Sequence, residues 1–387
     1  MVSIGIRIGI PQGTGSGGGT ASPAVARPTI TSPTEAAADQ SLTLTLTSSA
    51  FAVTNEGTDT HASSDWQISD DIGFSNIVEE SLADATNKTS YTASGLSALT
   101  EYWVRVRHNG TTYGASGWST AVSFTTAAAP AYDTDAQAFF DAMGTAPNDA
   151  VKTAVDDLIT TLKSDGIWSQ LDALWPLNMP TLADSLINMK DPTGTAATAV
   201  NSPTHTPYVG IQGDGSTSYV NSNYTPSTDA TNFTVTDASI GIHSATDRTY
   251  TTHTLMGGRD VTNSTRILFN PKTSSLSNRI TYYFNSESLG QGNIQATGDG
   301  FIGLDRVSTV TTAYKDSTAQ GAYATSSAAT LMAIPLYIGA YNYNNSATSI
   351  LNILMSCAYI GGALGTDHAT LQTRLATFRT AMAAAAP

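Results

Sequence analysis

The chain has almost no cysteine and few charged residues. Its 387 residues contain one cysteine, and Asp, Glu, Lys and Arg together make up only 12% of the sequence. A single cysteine excludes a disulfide framework within one chain, so the fold must depend on packing and self-association. Cys357 lies inside an apolar run, which is typical of a small buried side chain in a strand.

Basic residues and long apolar runs are also scarce. Lys and Arg number 17 against 31 Asp and Glu, a formal net charge of -14, and the basic residues are scattered. Nucleic-acid binding requires clustered basic residues and is not expected. No apolar run approaches the roughly 20 residues of a membrane span, and the first ten residues lack the features of a signal peptide. We expect neither membrane insertion nor a secretory leader.

Side chains for catalysis or metal binding are similarly sparse. After Glu101 the sequence contains one glutamate, Glu287, in a turn-like context. Hydrolysis of a glycosidic bond uses two carboxylates that flank the bond, so we predict no catalytic residues and interpret the chain as a non-enzyme. The six histidines are far apart in the sequence, without metal-ligand spacing, so no metal site or cofactor is predicted. His368 follows a helix cap and is interpreted as a surface residue.

The first 26 residues predict a docking strand and a tether. Isoleucine and valine alternate with Ser, Gly and Arg over residues 1–10, and a Gly-rich run follows. One short strand with a single apolar face cannot fold alone. We expect it to add to a sheet of a partner protein, with the run to residue 26 as a flexible tether.

Residues 27–127 show short apolar runs at regular spacing, which predict an all-β domain. The segment from Gly95 to Arg107 resembles the turn and sixth strand of a fibronectin type III domain, and the segment from Gly117 to Thr126 resembles its last strand. The resemblance implies that Tyr102 forms the tyrosine corner and that Trp66 lies in the core. Arg105 and Arg107 would face water.

Residues 132–192 show helical spacing of apolar residues, which predicts a small helical collar. The segment from Ile167 to Trp175 continues that spacing. The collar would pack either against the following sandwich or against its own copies. Aromatic side chains exposed on its helices would favour a homotrimer; they are Phe139, Phe140, Trp168 and Trp175.

Residues 193–387 predict a large β-sandwich with a C-terminal helix. The segment Gly213-Asp-Gly-Ser-Thr-Ser-Tyr-Val resembles the opening of concanavalin A-like and laminin G-type jelly rolls, and two segments ending in Ala340 and Leu364 resemble their closing strands. Leu351, Ile353, Met355, Cys357 and Tyr359 are expected on one face of the last strand. Asp214 is interpreted as a tight-turn residue, and the resemblance leaves open a structural calcium ion near Asp214 or Asp260.

The order of tether, fibronectin-like domain, collar and lectin-like sandwich resembles virion proteins of tailed bacteriophages. The resemblance implies a virion location and a tail fibre or spike adhesin that binds a host-surface glycan, with the N-terminal strand docked on another virion protein. Two alternatives stay open: a capsid or tail decoration protein without a host ligand and, less favoured, a polysaccharide depolymerase.

The ligand site is expected in the loop between the two closing strands. All five tryptophans precede residue 180, so tyrosine is the large aromatic residue available to stack on a sugar ring. The predicted ligand-binding residues are Tyr341, Asn342, Tyr343, Asn344, Asn345, Arg259 and Asp260. The alternative is a polar hairpin whose tyrosines lie flat on the sheet.

Overall fold

The computed structural model describes residues 21–249, 254–262 and 265–387. The predicted docking strand and most of its tether lie outside these residues. The chain divides after Ala131 into two compact units. It is mainly β with a C-terminal helix, as the sequence predicts.

The described residues of the first unit, 21–131, form nine strands in two sheets. The strands are Ile30–Ser32 (β1), Ala37–Gln40 (β2), Leu44–Ser48 (β3), His61–Ser69 (β4), Ile77–Asp84 (β5), Ser90–Ala93 (β6), Glu101–Gly110 (β7), Gly114–Ala115 (β8) and Val122–Thr126 (β9). One sheet has the order β1-β3-β6, and the other has the order β2-β9-β7-β4-β5 with β8 on β7. This arrangement is a β-sandwich.

The core of the first unit follows the alternation in β7. Trp66, Val104 and Val106 are fully buried, and the Tyr102 hydroxyl accepts a hydrogen bond from the Ser97 backbone nitrogen at 2.9 Å. The two arginines of β7 lie on the outer face, as expected, and are partly exposed. Their guanidinium groups lie 4.5 and 4.6 Å from the centre of a Trp118 ring, which covers part of their surface.

In the second unit, residues 132–249, 254–262 and 265–387 form five α-helices and seventeen strands. The helices are Thr134–Ala142 (α1), Asp149–Ser164 (α2), Leu182–Ser185 (α3), Pro226–Asp229 (α4) and Asp367–Ala384 (α5). The strands are Leu171–Trp175 (β10), Thr198–Val200 (β11), Thr204–Thr206 (β12), Gly210–Gln212 (β13), Tyr219–Asn221 (β14), Asp237–Ser244 (β15), Met256–Asp260 (β16), Thr265–Thr273 (β17), Arg279–Phe284 (β18), Gly290–Ile294 (β19), Gly300–Val307 (β20), Val310–Lys315 (β21), Thr318–Ala324 (β22), Tyr337–Ile338 (β23), Tyr341–Tyr343 (β24), Ser346–Thr348 (β25) and Leu354–Gly361 (β26).

Two large sheets of the second unit enclose its main core. The first sheet has the order β12-β13-β26-β15-β20-β21-β22, and β10 also pairs with β26. The second sheet has the order β11-β14-β23-β16-β17-β18-β19, with β24 on β16 and β25 on β24. Apolar side chains from both sheets form one continuous cluster, as expected for a sandwich core.

Strand β26 is apolar on both faces because it is covered on both sides. Ala358 and Ile360 belong to the core between the sheets, whereas Cys357 and Tyr359 pack with the helices. The register between β15 and β26 shifts at Ser244, opposite Met355. Met355 therefore packs in the core between the sheets, and the expectation that it shares a face with Cys357 is wrong.

Helix α5 lies very close to the first sheet. A Cβ atom on Gly303 would lie 2.2 Å from a ring nitrogen of His368, and one on Gly241 would lie 2.3 Å from the Tyr359 ring. Glycine at these positions lets the helix and its buried polar side chains reach the sheet. His368 is fully buried, with Nε2 2.8 Å from the Tyr359 hydroxyl, so its interpretation as a surface residue is wrong.

The helical collar is not a separate body. Residues 132–192 belong to the same compact unit as residues 193–387, and α1, α2 and α5 share one apolar cluster with the first sheet. The segment after α2 also differs from the prediction. It forms a short 3-10 turn, Trp168–Gln170, followed by strand β10.

The four aromatic side chains expected to face other copies are buried within their own chain. Their exposed fractions are 0% for Phe139, 7% for Phe140, 6% for Trp168 and 1% for Trp175. The indole nitrogen of Trp168 donates to the Asp135 carboxylate at 2.7 Å. The expected exposure is therefore wrong, and a homotrimer stays a prediction without this surface to support it.

Candidate functional site

The predicted loop is a tight hairpin on the second sheet. Strands β24 and β25 pair in register, and Asn344 and Asn345 connect them with φ values of 51° and 68°. Two consecutive left-handed residues form the two-residue turn that matches the twist of a hairpin, and asparagine tolerates that conformation. The alternative of a polar hairpin describes this segment better than an open loop.

Asn342 holds the hairpin in place. Its side chain is fully buried; Nδ2 donates to the Pro335 carbonyl at 2.7 Å, and Oδ1 accepts from the Asn345 backbone nitrogen at 2.7 Å. These bonds occupy the amide, so Asn342 supports the site and does not face a ligand. The two turn asparagines, Asn344 and Asn345, remain exposed at the tip.

The strand order brings Arg259 beside the predicted tyrosines. Strand β24 pairs in parallel with β16, and Tyr343 lies opposite Arg259. On the other side of β16, Arg259 lies opposite Arg266 of β17. Directly paired residues share a face of the sheet, so both arginines and Tyr343 lie on the same face.

Asp260 does not join this group, although the sequence analysis includes it. It is 4% exposed, and its oxygens accept hydrogen bonds from the backbone nitrogens of Thr262 at 2.9 Å and Ala333 at 3.1 Å. Successive residues of a strand point to opposite faces, which separates Asp260 from Arg259. Its carboxylate fixes the chain within the protein.

Three residues that the sequence analysis did not include complete the group. The Arg266 guanidinium lies 4.2 Å from the centre of the Tyr283 ring. One Glu287 oxygen lies 3.2 Å from Arg259 Nη2 and 3.4 Å from Arg266 Nη2. Alternation along β17 and β18 could have suggested Arg266 and Tyr283, whereas the sequence holds no signal for the position of Glu287.

We call this surface the arginine–tyrosine face. Its residues are Arg259, Arg266, Tyr283, Glu287, Tyr341 and Tyr343. Two guanidinium groups face one carboxylate, which leaves an excess of positive charge in a chain that is acidic as a whole. The Nε atoms of both arginines are buried and have no hydrogen-bond partner among the described residues.

The tyrosines differ in how much surface they offer. Tyr343 is 44% exposed, whereas Tyr341 is half-buried. Burial raises the pKa of the Tyr341 hydroxyl to about 12. The Tyr341 hydroxyl therefore stays protonated at neutral pH, and the hydroxyl groups of both tyrosines can take part in hydrogen bonds. The face can hold a ligand that combines an apolar ring surface, hydroxyls and a negative group.

The chemistry of this face suits binding rather than hydrolysis. Glu287 is its only carboxylate, and it is engaged by two arginines. A pair of carboxylates flanking a glycosidic bond is therefore not formed by these residues. Within the part of the chain that the structure describes, no three His, Cys, Asp or Glu side chains are grouped to hold a metal ion.

Asp214 is occupied by its own turn. Its Oδ1 accepts hydrogen bonds from the backbone nitrogens of Ser216, Thr217 and Ser218 at 2.8 to 2.9 Å. These bonds lower the pKa of the carboxyl group well below its ordinary value. The geometry is that of the tight-turn residue that the sequence analysis favours over a calcium ligand.

Comparison with known proteins yields structural similarity alone. No family model and no curated protein matches the chain. Domain 4 of AbnA, a GH43 extracellular arabinanase from Geobacillus stearothermophilus solved with arabinotriose, is similar at 13% identity and a TM-score of 0.38, covering 52% of this chain and 98% of that one. The sixth fibronectin type III domain of a human protein is similar at 18% identity and a TM-score of 0.20, covering 30% and 96%.

A sialidase mutant from Trypanosoma rangeli is similar at 11% identity and a TM-score of 0.42. The match covers 75% of this chain and 47% of the sialidase, so the chain spans about half of that protein. The structural neighbours thus include a fibronectin type III domain and domains of carbohydrate-active proteins. At these identities and TM-scores they carry no argument about function. Among the described residues, no helix is long and apolar enough to cross a membrane.

Proposed function

We propose that the chain is a glycan-binding adhesin of a tailed-bacteriophage virion and that the arginine–tyrosine face binds the glycan. The observation that supports this most directly is the pairing of Tyr343 with Arg259 on a sheet face that also holds Arg266. An exposed aromatic ring beside guanidinium donors matches the apolar faces and polar edges of a sugar.

The charge of the face favours an acidic sugar. Two guanidinium groups share the single carboxylate of Glu287, so a carboxylate on the ligand can bind the donors that Glu287 leaves unused. Charge-assisted hydrogen bonds from arginine to a carboxylate are short and strong. A glycan that contains uronic acid has the required ring and the required charge.

The virion assignment is supported by the order of segments in the sequence. A tether, a fibronectin-like sandwich and a larger lectin-like sandwich follow one another, as in the phage proteins that the chain resembles. The N-terminal strand would dock on another virion protein, outside the residues that the structure describes.

The experiment compares Tyr343→Ala with a matched control. Tyr323 is 48% exposed on β22 of the first sheet, so Tyr323→Ala removes a similarly exposed ring from a different surface. We expect Tyr343→Ala to weaken binding of galacturonic-acid oligosaccharides about tenfold, roughly the effect of 1.4 kcal/mol of lost contact, and Tyr323→Ala to leave it unchanged. Calorimetric titration measures both affinities.

Thermal unfolding of both variants checks that the fold is intact. Equal affinities for Tyr343→Ala and the unsubstituted protein would remove this face as the ligand site and favour a decoration protein. Release of shorter oligosaccharides during the titration would instead favour a depolymerase.

A further inference from the structure

A cleft of about 660 Å³ lies beside β10 and shares no residue with the arginine–tyrosine face. Its walls come from β10, from the segment after α3 and from the chain that follows β14 and α4. The volume falls within the range of roughly 300–1,000 Å³ found for small-molecule sites. We call it the β10 cleft; the residues that matter here are Asp172, Trp175, Asn188, Lys190, Asp191 and Asp229.

The buried residue Trp175 is one of those that line the β10 cleft. Trp175 is 1% exposed and packs edge-on against Tyr224, with ring centres 6.3 Å apart. Its Nε1 has no hydrogen-bond partner among the described residues. A buried donor without a partner costs about 1–3 kcal/mol, so a ligand oxygen at this position would relieve that cost.

A second donor lies in the same cleft. Asn188 Oδ1 accepts from the backbone nitrogens of Leu174 at 2.9 Å and Lys190 at 3.0 Å, which fixes the orientation of the amide. Its Nδ2 forms no hydrogen bond to a described residue. Lys190 donates to the Trp168 carbonyl at 2.7 Å, which leaves further ammonium hydrogens available.

The carboxylates of the cleft have two different roles. Asp172 accepts hydrogen bonds from the Tyr224 hydroxyl at 3.0 Å and from the backbone nitrogens of Asn232 at 2.8 Å and Phe233 at 2.9 Å. Its oxygens are occupied, so it fixes the walls. Asp191 and Asp229 are exposed at the rim. Asp229 accepts from the Thr225 backbone nitrogen at 2.7 Å and from the Thr228 hydroxyl at 2.9 Å, and the exposed oxygens of both carboxylates retain further acceptor capacity.

The charge of the cleft selects against an acidic ligand. Three carboxylates face the single ammonium group of Lys190. A cation is also a poor fit because Asp172 is occupied and no metal-binding group of three occurs among the described residues. The remaining free groups are donors and acceptors in the same small volume, which is what sugar hydroxyls require.

We propose that the β10 cleft is a second carbohydrate site, specific for a neutral sugar. The indole nitrogen of Trp175 and the amide of Asn188 donate to sugar oxygens, and the rim carboxylates accept from sugar hydroxyls. This site does not depend on the function of the arginine–tyrosine face.

The test uses the indole signals of the whole protein in a proton–nitrogen NMR spectrum. The five tryptophans give up to five such signals, and Trp175→Phe identifies the one from Trp175. We titrate with neutral trisaccharides of glucose, galactose and mannose, each up to millimolar concentration. At least one should shift the Trp175 signal, and galacturonic-acid trisaccharide should not.

Asn188→Asp is the matched variant for affinity. It keeps an oxygen for the two backbone nitrogens, removes the NH₂ donor and adds one negative charge, which a neutral sugar tolerates better than an acidic one. Loss of one neutral hydrogen bond, about 0.5–1.5 kcal/mol, should weaken neutral-sugar binding about three- to tenfold in calorimetry. Tyr343→Ala should leave that affinity unchanged.

Either of two results would overturn the proposal. One is a Trp175 signal that does not move with any neutral trisaccharide. The other is neutral-sugar binding with the same affinity in Asn188→Asp as in the unsubstituted protein. Thermal unfolding shows whether each variant is folded, and the signal of the unsubstituted protein tests the site even if a variant is not.

Discussion

The arginine–tyrosine face and the β10 cleft differ in shape and in charge, although one sandwich builds both. The face is a sheet surface with two guanidinium groups around one carboxylate. The cleft is concave, with three carboxylates around one ammonium group. The net charge of -14 does not predict the charge of either surface. The local charge of each surface therefore determines which class of ligand it favours.

The two surfaces also differ in how the chain assembles them. The face comes mainly from paired strands, so the register of β16 with β17 and β24 places its side chains. The cleft comes from irregular segments whose walls are held by Asp172. Substitutions on the face should therefore change binding more than folding, whereas those at Asp172 should disturb the cleft itself.

The largest expected effect comes from removing both arginines of the face. Arg259→Gln with Arg266→Gln should weaken binding of galacturonic-acid oligosaccharides about a hundredfold. The reason is that each lost charge-assisted hydrogen bond is worth about 1.5–3 kcal/mol. Binding of neutral trisaccharides at the cleft should not change. Calorimetric titration with both classes of ligand measures the two effects.

The control for this double variant removes two positive charges elsewhere in the same unit. It combines Lys152→Gln on α2 with Arg374→Gln on α5. Arg374 forms a surface ion pair with Asp165 at 2.8 Å, whose loss should cost little stability. A similar loss of acidic-sugar binding in this control would mean that total charge, and not the face, attracts the ligand.

A smaller and opposite effect should follow from Glu287→Gln. The carboxylate now competes with a ligand for both guanidinium groups, so its removal should strengthen acidic-sugar binding by up to about tenfold. Glu101→Gln, in the other unit, removes one negative charge without touching either surface. Weaker acidic-sugar binding in Glu287→Gln would show that Glu287 contacts the ligand or positions the arginines.

The last prediction concerns the free energy of unfolding at acid pH, which separates loss of folding from loss of binding. Burial lowers the pKa of His108 to about 4 and that of His243 to about 3, from an ordinary value of 6.5. Below pH 6.5 the unfolded chain binds protons that the folded chain does not. Each unit should therefore lose stability as the pH falls from 6.5 towards 4, by at most about 1.4 kcal/mol per pH unit for each histidine.

Denaturant unfolding measured at several pH values checks this. His243→Gln should flatten the dependence in the second unit, and His108→Gln in the first. If stability is constant between pH 6.5 and 4, the two histidines are not held neutral by the fold, and any pH effect on binding belongs to the surfaces themselves.

Strong alternation made most strands predictable. The β-sandwich with a C-terminal helix that the sequence predicts for residues 193–387 is confirmed as a fold class. Strands β19 and β22 lie at sheet edges, and their segments, Gly290–Ile294 and Thr318–Ala324, contain few large apolar residues. An edge strand forms through backbone pairing with a neighbour, so its own sequence carries a weak signal.

The helical spacing of apolar residues predicted a helix where the structure has strand β10. Leu171, Leu174 and Trp175 fit a helix face, but in the structure this segment pairs with β26 and is almost entirely buried. Short apolar runs are compatible with either structure, and tertiary pairing decides between them. The same ambiguity led to the expectation that Trp175 is exposed, although it lies in the wall of the cleft.

The site could be predicted where it depends on local sequence. The tyrosines of β24 and their neighbour Arg259 lie together, although Asn342 and Asp260 turn into the protein. Alternation along β17 could have suggested Arg266, but its place beside Arg259 depends on strand register, and Glu287 lies in a turn outside any local pattern. A single sequence does not show which distant strands pair with one another.

The central position of β26 has a consequence for how the protein is made. Among the described strands of its sheet, β26 comes last in the sequence, yet it pairs with β10, β13 and β15, which are synthesised much earlier. The first sheet therefore stays split until residues 354–361 leave the ribosome, and its outer face stays uncovered until α5 follows. Such late, non-local closure exposes unpaired strands to neighbouring nascent chains, so slow translation or a chaperone should raise the yield of folded protein.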